Sequence, residues 1–229
     1  MQTRNTLTAP SKRISVPHWV DWLMIAIILI VSGVSFISTL NSGVFSSSLV
    51  DNQQWSWYLV RSAGMMAYGL LAASMLWGLF LSSHLLKDWS PGPLTLLLHA
   101  TTSWLAVVLS AAHALLLLFD NYYTYTLSDL VVPFTGPYRP FAVGLGVIAF
   151  WLVLAITLSF SLRKLIGHRN WLWLHYTSYG SFALITAHVL LAGTDATQTG
   201  VRIILFGFSA AVFVLFTLRV MKKLLAERN

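Results

Sequence analysis

Six long apolar stretches, separated by short polar connections, run along the chain. They cover about residues 19–40, 57–83, 93–119, 140–162, 171–191 and 201–220. A bilayer core about 30 Å thick needs roughly 20 helical residues per crossing, and backbone groups in lipid must be hydrogen-bonded within the segment. The alternating pattern of a transmembrane β-strand does not occur in these stretches. We therefore predict an all-α integral membrane bundle of six transmembrane helices.

The composition supports the same class of protein. Of 229 residues, 57% are hydrophobic and 9% are charged, whereas soluble domains carry about 25% charged residues. This excludes a soluble globular domain. The chain has no cysteine, which excludes disulfides, iron–sulfur clusters, thiolate-ligated heme, covalently attached c-type heme and cysteine nucleophiles.

The basic residues set the predicted orientation. With a cytoplasmic N-terminus, only Arg61, Arg139 and Arg202 lie outside. The remaining basic residues then lie inside: Arg4, Lys12, Arg13, Lys87, Arg163, Lys164, Arg169, Arg219, Lys222, Lys223 and Arg228. This bias follows the positive-inside rule and explains the net charge of +7 through orientation and anionic lipid, without nucleic acid as a partner. We predict a cytoplasmic segment at 1–18, a transmembrane domain at 19–224 and a cytoplasmic tail at 225–229.

Four of the seven histidines lie inside predicted spans. His99 and His113 are 14 residues apart in the third stretch, and His175 and His188 are 13 residues apart in the fifth. These two stretches cross in the same direction, and the separations correspond to about 21 Å and about 19.5 Å along a helix. His99 therefore matches His175 in depth near the inner surface, and His113 matches His188 near the outer surface.

Imidazole is a nitrogen ligand suited to iron. Two imidazoles facing each other across a bundle form a six-coordinate heme site, and two stacked sites provide an electron path across the membrane. In a chain without cysteine, we predict two bis-histidine b-type hemes, one held by His99 and His175 and the other by His113 and His188. Zinc would need three or four clustered ligands. The alternative to heme ligation is that these histidines form structural hydrogen bonds or relay protons.

One geometric test of this pairing is passed only in part. At 100° per residue, His113 returns to within about 40° of the face of His99, but His188 lies about 140° from the face of His175. A distortion near Gly180 or different rotamers would have to absorb this difference.

Other residues have both a functional and a structural interpretation. Arg61 is either a cation that pairs with the propionates of the outer heme or an interfacial anchor. His18, His84 and His168 fit surface roles, and tryptophans at span ends, Trp171 among them, fit an interfacial belt. The methionines of the second stretch are either an axial ligand or, in the simpler interpretation, part of the packed core: Met65, Met66 and Met75. Trp104 and Phe182 lie between the two predicted heme depths and either line the gap or pack in the core.

These motifs resemble the ferric reductase-like transmembrane domain family, which includes NADPH oxidases, ferric reductases and the heme-binding membrane subunit of a bacterial methionine sulfoxide reductase system. The similar segments cover 57–83, 98–122, 128–160 and 167–195. The most specific part is the pair of histidine helices, with the sequences LHATTSWLAVVLSAAHALLLLFDNY and GHRNWLWLHYTSYGSFALITAHVLLAGTD.

The resemblance implies a six-helix bundle in which His99, His113, His175 and His188 are the axial ligands of two b-type hemes and Arg61 lies near the outer heme. It also implies an oxidoreductase component in a cell membrane, which we expect to be a bacterial plasma membrane. Many members continue into a cytoplasmic domain that binds flavin and nicotinamide. This sequence has no glycine-rich nucleotide loop, so we expect a separate flavoprotein or a membrane quinol to supply electrons.

The predicted function is electron transfer from a cytoplasmic or membrane donor to an acceptor at the outer face. Lys87 and residues 163–169 form a basic docking surface for the donor, and the loop at 120–139 shapes access to the outer heme, docks a periplasmic acceptor or caps the bundle. A small molecule is the other candidate acceptor.

Two rival functions have other requirements. A heme-free transporter of protons or metal ions would place acidic residues and broken helices at mid-depth, but Asp21, near a span end, is the only acidic residue in the predicted spans. A membrane anchor subunit of a larger redox complex is not distinguished from an electron carrier by the sequence.

Overall fold

The computed structural model of the protein describes residues 55–83 and 92–226. These residues form α1 (Trp55–Ser83), α2 (Gly92–Leu116), α3 (Leu127–Val131), α4 (Pro140–Ile166), α5 (His168–Ala192) and α6 (Thr199–Ala226). Short 3₁₀ turns follow α2 at Leu117–Phe119 and α5 at Thr194–Thr197. No β-strand occurs in the described part of the chain, which confirms the all-α class there.

Four of these helices are long and apolar enough to cross a membrane: α1, α2, α4 and α6. Helix α5 has 25 residues but is not among the four, because its histidines and hydroxyl side chains interrupt the apolar surface. The predicted first span, 19–40, lies outside the described residues. The helices thus support a multi-pass membrane protein, while six crossings and cytoplasmic termini stay predictions.

The helices extend beyond the apolar stretches that predicted them. Helix α4 begins with Pro140 at its first position, where proline costs no hydrogen bond, and continues past Arg163 and Lys164 to end before Gly167. Gly167 has a φ of +82°, a conformation that glycine adopts without strain. The prediction counted apolar residues alone, whereas a helix continues into the interface, where charged side chains reach water.

The backbones pack most closely as two pairs, α1 with α2 and α4 with α5, and α6 lies against α1. The core between them is formed by Tyr68, Leu71, Met75, Phe182 and Leu205, among other buried residues. Large apolar side chains cover the outer surface, including Leu165, Ile203 and Phe213. An apolar exterior of this kind is suited to lipid.

The connection between α2 and α4 folds over the end of the α4–α5 pair. Arg139 donates to the Leu191 carbonyl oxygen and Tyr138 to that of Ala192, so this connection is attached to the end of α5. Phe134 adopts a left-handed φ of 71° and lies against Gly144, where an added Cβ would collide with the Phe134 ring. Glycine at 144 is therefore needed for this loop to pack on α4.

Candidate functional site

The four histidines in the spans form two pairs. The ring centroids of His99 and His175 are 6.0 Å apart, and those of His113 and His188 are 6.3 Å apart. The pairs occur in the same order along α2 and α5, so these helices run in the same direction, as predicted from the alternation of successive crossings. We name them the 99/175 pair and the 113/188 pair.

The separation within each pair suits one metal ion between two rings. An imidazole nitrogen lies about 2.0 Å from a bound first-row metal, and about 1 Å from its ring centre, so opposed ligands have centroids about 6 Å apart. The ring planes are nearly perpendicular, at 81° and 77°. Since α2 packs chiefly on α1 and α5 on α4, the rings meet between two helix pairs and not within one.

Three of the four rings are oriented by a backbone carbonyl group of a neighbouring helix. His113 Nδ1 lies 2.8 Å from the Val60 carbonyl oxygen, and His99 Nδ1 lies 2.9 Å from that of Ser74. On the other helix pair, His188 Nδ1 lies 2.8 Å from the Ala142 carbonyl oxygen. Because a carbonyl only accepts, Nδ1 carries the proton, which leaves the Nε2 lone pair for a metal ion; this is the usual outer-shell arrangement of a ligating histidine.

A glycine makes room for each of these three rings. Gly64, Gly78 and Gly146 each follow the accepting residue by four positions, one helical turn later. An added Cβ would approach the His113 ring to 2.9 Å, the His99 ring to 3.2 Å and the His188 ring to 2.8 Å. Glycine thus lets the imidazole reach a carbonyl in the adjacent helix.

The sequence analysis missed these glycines, although the sequence contains a signal for two of them. Gly64 and Gly78 are 14 residues apart, the same separation as His99 and His113. Because α1 and α2 are antiparallel, each glycine faces one histidine. A matched glycine–histidine spacing in adjacent apolar stretches would have indicated this contact.

His175 is held in a different way. Its ring stacks on Trp171, with centroids 5.2 Å apart and planes at 24°, so Trp171 supports a candidate ligand, and its role as an interfacial anchor stays a prediction. Among the described residues, no backbone carbonyl accepts a hydrogen bond from His175. Arg219 donates to the Tyr179 hydroxyl at 3.1 Å and lies 3.5 Å from that of Tyr176, which brings a cation to this end of α5.

The 13-residue spacing places His175 and His188 on different faces of a straight helix, yet both rings reach partners on α2. Helix α5 is continuous across Gly180, so the chain does not break there. Instead, His188 is bonded to α4 while His175 stacks within its own helix. Different side-chain placements bring both rings to their partners on α2.

A cavity of about 850 Å³ adjoins the 113/188 pair. Both histidines line it, together with Gly64 and Gly146. Charged and aromatic polar side chains of the 120–139 loop and its surroundings are part of the same lining: Arg61, Asp120, Tyr122, Tyr123, Tyr125, Asp129, Tyr138 and Asp195. A volume of this size is typical of a site for an organic ligand or cofactor.

Arg61 lies at this cavity, where it pairs with Asp195. Its Nε donates to Asp195 Oδ2 at 2.6 Å, and its terminal nitrogen contacts the other carboxylate oxygen. The guanidinium also covers the Trp57 ring at 3.9 Å. The anchor and propionate interpretations of Arg61 both stay open, and the sequence analysis did not identify Asp195 as its partner.

Two loop residues at the cavity have shifted acidities. Burial, with a contribution from nearby Asp120, raises the pKa of Tyr125 to about 12, so this phenol stays protonated at neutral pH. Hydrogen bonds from Thr126 lower the pKa of Asp129, which keeps that exposed carboxylate ionised. The loop therefore contributes a neutral phenol, Tyr125, and an ionised carboxylate, Asp129, to the cavity lining.

The remaining candidates are placed as follows. Trp104 is 45% exposed, so core packing is wrong for it, while its place in the gap between the two pairs stays a prediction. Phe182 is buried and stacks on Tyr68 with centroids 5.8 Å apart. Met75 is buried and Met66 is exposed, so core packing holds for the first and is wrong for the second.

The weaker histidines are only partly described. His168 is exposed and stacks on Trp171, in agreement with a surface role, whereas His18 and His84 lie outside the described residues. Within residues 55–83 and 92–226, no group of three or more histidine or carboxylate side chains is placed to hold a metal ion.

No family model, curated protein or solved structure matches the chain.

Proposed function

We propose that the protein is a transmembrane electron carrier that binds two b-type hemes, one at the 99/175 pair and one at the 113/188 pair. The observation that carries this proposal is the centroid separation of 6.0 Å and 6.3 Å in pairs of histidines from two parallel helices. Such a separation fits two axial ligands on opposite sides of one iron. The resemblance of the histidine helices to the ferric reductase-like family points in the same direction.

The chain's own residues support ligation in three further ways. The carbonyl groups of Val60, Ser74 and Ala142 fix three imidazoles with Nε2 available. The cavity beside the 113/188 pair has the volume and the mainly apolar lining, with a few polar groups, that a planar macrocycle needs. Bound heme would supply one-electron chemistry at iron, while the protein sets its position and electrostatic environment.

Orientation follows from the positive-inside rule, which puts the 99/175 pair on the cytoplasmic side. Electrons then enter there from a separate flavoprotein or a membrane quinol and leave at the 113/188 pair. The basic residues at 163–169 provide a docking surface for the donor. The acceptor, a periplasmic protein or a small molecule, reaches the cavity beneath the 120–139 loop.

The first test is a reduced-minus-oxidised absorption spectrum of the purified protein, with heme quantified per chain. We expect a b-type signal and about two hemes, because each histidine pair supplies two axial ligands. The double variant His99→Ala/His113→Ala removes one ligand from each site and should lose both hemes. His168→Ala is the matched control, since this exposed histidine belongs to α5 and to neither pair.

The second test measures transfer across a membrane. Proteoliposomes are loaded with ferricyanide, and dithionite is added outside; the protein should bleach the internal ferricyanide and the double variant should not. A colourless preparation that moves protons or metal ions across the same vesicles would overturn the proposal in favour of a transporter. Two hemes without transfer would favour an anchor subunit.

A further inference from the structure

The two histidine pairs differ in the hydrogen bonds that their ring nitrogens make. In the 113/188 pair both Nδ1 atoms contact a carbonyl oxygen, at 2.8 Å each. In the 99/175 pair, within residues 55–83 and 92–226, His99 alone does so, at 2.9 Å, while His175 stacks on Trp171. Donation of the Nδ1 proton to a carbonyl makes the imidazole a more basic ligand. In the described part of the chain, the 113/188 pair therefore has two strengthened candidate ligands and the 99/175 pair has one.

The charges near the two pairs differ as well. The cation close to the 113/188 pair is Arg61, and Asp195 neutralises it with both carboxylate oxygens. The cation close to His175 is Arg219, which, among the described residues, contacts two neutral tyrosine hydroxyls. Arg219 therefore keeps an uncompensated positive charge within that part of the structure. A positive charge favours the reduced form of a nearby redox centre, because reduction adds negative charge.

Both differences act in the same direction. More basic ligands stabilise ferric iron and lower its reduction potential, and an uncompensated cation raises the potential of the other site. We infer that iron at the 113/188 pair has a lower reduction potential than iron at the 99/175 pair. This inference rests on the proposed heme binding and assigns the difference to the Ala142 and Val60 carbonyl groups and to Arg219.

The order has a consequence for electron flow. A first electron resides at the 99/175 pair, and transfer onward to the 113/188 pair is uphill. Net flow toward the cavity then requires an acceptor whose reduction potential is higher than that of the electron donor, because the two sites only pass electrons between them. The 99/175 pair acts as an electron reservoir, and the acceptor at the cavity drives each transfer.

The test is a potentiometric titration of the full chain in detergent, followed by heme absorbance. We expect two components whose one-electron equilibrium constants differ at least tenfold, which is about 59 mV. The variant His99→Ala should keep the low-potential component, and His113→Ala the high-potential one. Two hemes with equal potentials, or with this assignment reversed, would overturn the inference and leave the proposed function intact. A chain without heme would instead refute the proposed function.

The causes are tested by separate variants. Arg219→Gln should lower the reduction potential of the high-potential component, by at least threefold in its one-electron equilibrium constant. Arg202→Gln is the control, because Arg202 lies on the same helix but donates to the Ala196 carbonyl oxygen; it should leave that potential unchanged. Gly146→Ala displaces the His188 ring from its carbonyl partner and should raise the low-potential component. If Gly146→Ala loses its heme, the Arg219 variant still decides the electrostatic part. An unchanged high-potential component in Arg219→Gln would refute the role of that charge.

Discussion

The 113/188 pair and the 99/175 pair use the same residue type on the same two helices, but their surroundings differ. At the 113/188 pair, two glycines and two carbonyl groups hold both rings beside a cavity of about 850 Å³. At the 99/175 pair, one ring is held in this way and the other stacks on Trp171. The comparison teaches that the positions of the histidines along two helices decide which rings meet, whereas the neighbouring side chains and carbonyl groups decide how each ring is oriented.

Removal of a single ligand should give the largest difference between the pairs. We expect His188→Ala to lose one of about two hemes and to keep the heme of the 99/175 pair, because the two sites use separate ligands. His99→Ala should do the reverse. Heme quantification with absorption spectra distinguishes the two products. Equal loss of both hemes in either variant would contradict independent, depth-matched pairs.

A graded effect is expected when a methyl group is added beside each ring. Gly146→Ala and Gly64→Ala place Cβ 2.8 Å and 2.9 Å from a histidine ring, whereas Gly78→Ala leaves 3.2 Å. Overpacking of this kind costs about 1–3 kcal/mol, so the first two variants should reduce heme retention at the 113/188 pair more than Gly78→Ala does at the 99/175 pair.

Gly69→Ala is the matched control for this series. It lies on α1 with Gly64 and Gly78, and an added Cβ meets nothing within 4 Å. Thermal unfolding in detergent and heme retention should therefore match those of the unmodified protein. A Gly69→Ala variant as damaged as Gly64→Ala would mean that α1 requires glycine for a reason other than histidine contact.

The smallest expected effect concerns the ion pair at the 113/188 cavity. Arg61 and Asp195 are 25% and 16% exposed, so we expect a coupling energy of about 1 kcal/mol from a double-mutant cycle of Arg61→Gln and Asp195→Asn in thermal unfolding. Additive effects of the two substitutions would show that the contact contributes nothing. If Arg61 also binds a propionate, Arg61→Gln should release more heme from the 113/188 pair than Asp195→Asn.

Much of the fold follows from local patterns. The apolar stretches at 57–83, 93–119, 140–162, 171–191 and 201–220 all form helices, since a run of about 20 apolar residues has few other stable structures in lipid. The order of the histidines along α2 and α5 was also predictable, because depth depends only on the rise per residue. The angular position of His175 and His188 was not, because rotamers and contacts with α4 determine it.

The sequence alone determined that the chain is helical and suited to a membrane, and it identified which histidines match in depth. These properties depend on composition and on spacing along single helices. Only the tertiary structure decided that Gly64, Gly78 and Gly146 accept imidazole rings and that Asp195 binds Arg61. Each of these contacts joins residues from elements that meet only when the chain folds. Because apolar residues surround most of each helix, the sequence carries no periodic signal for the face that a neighbouring helix will cover.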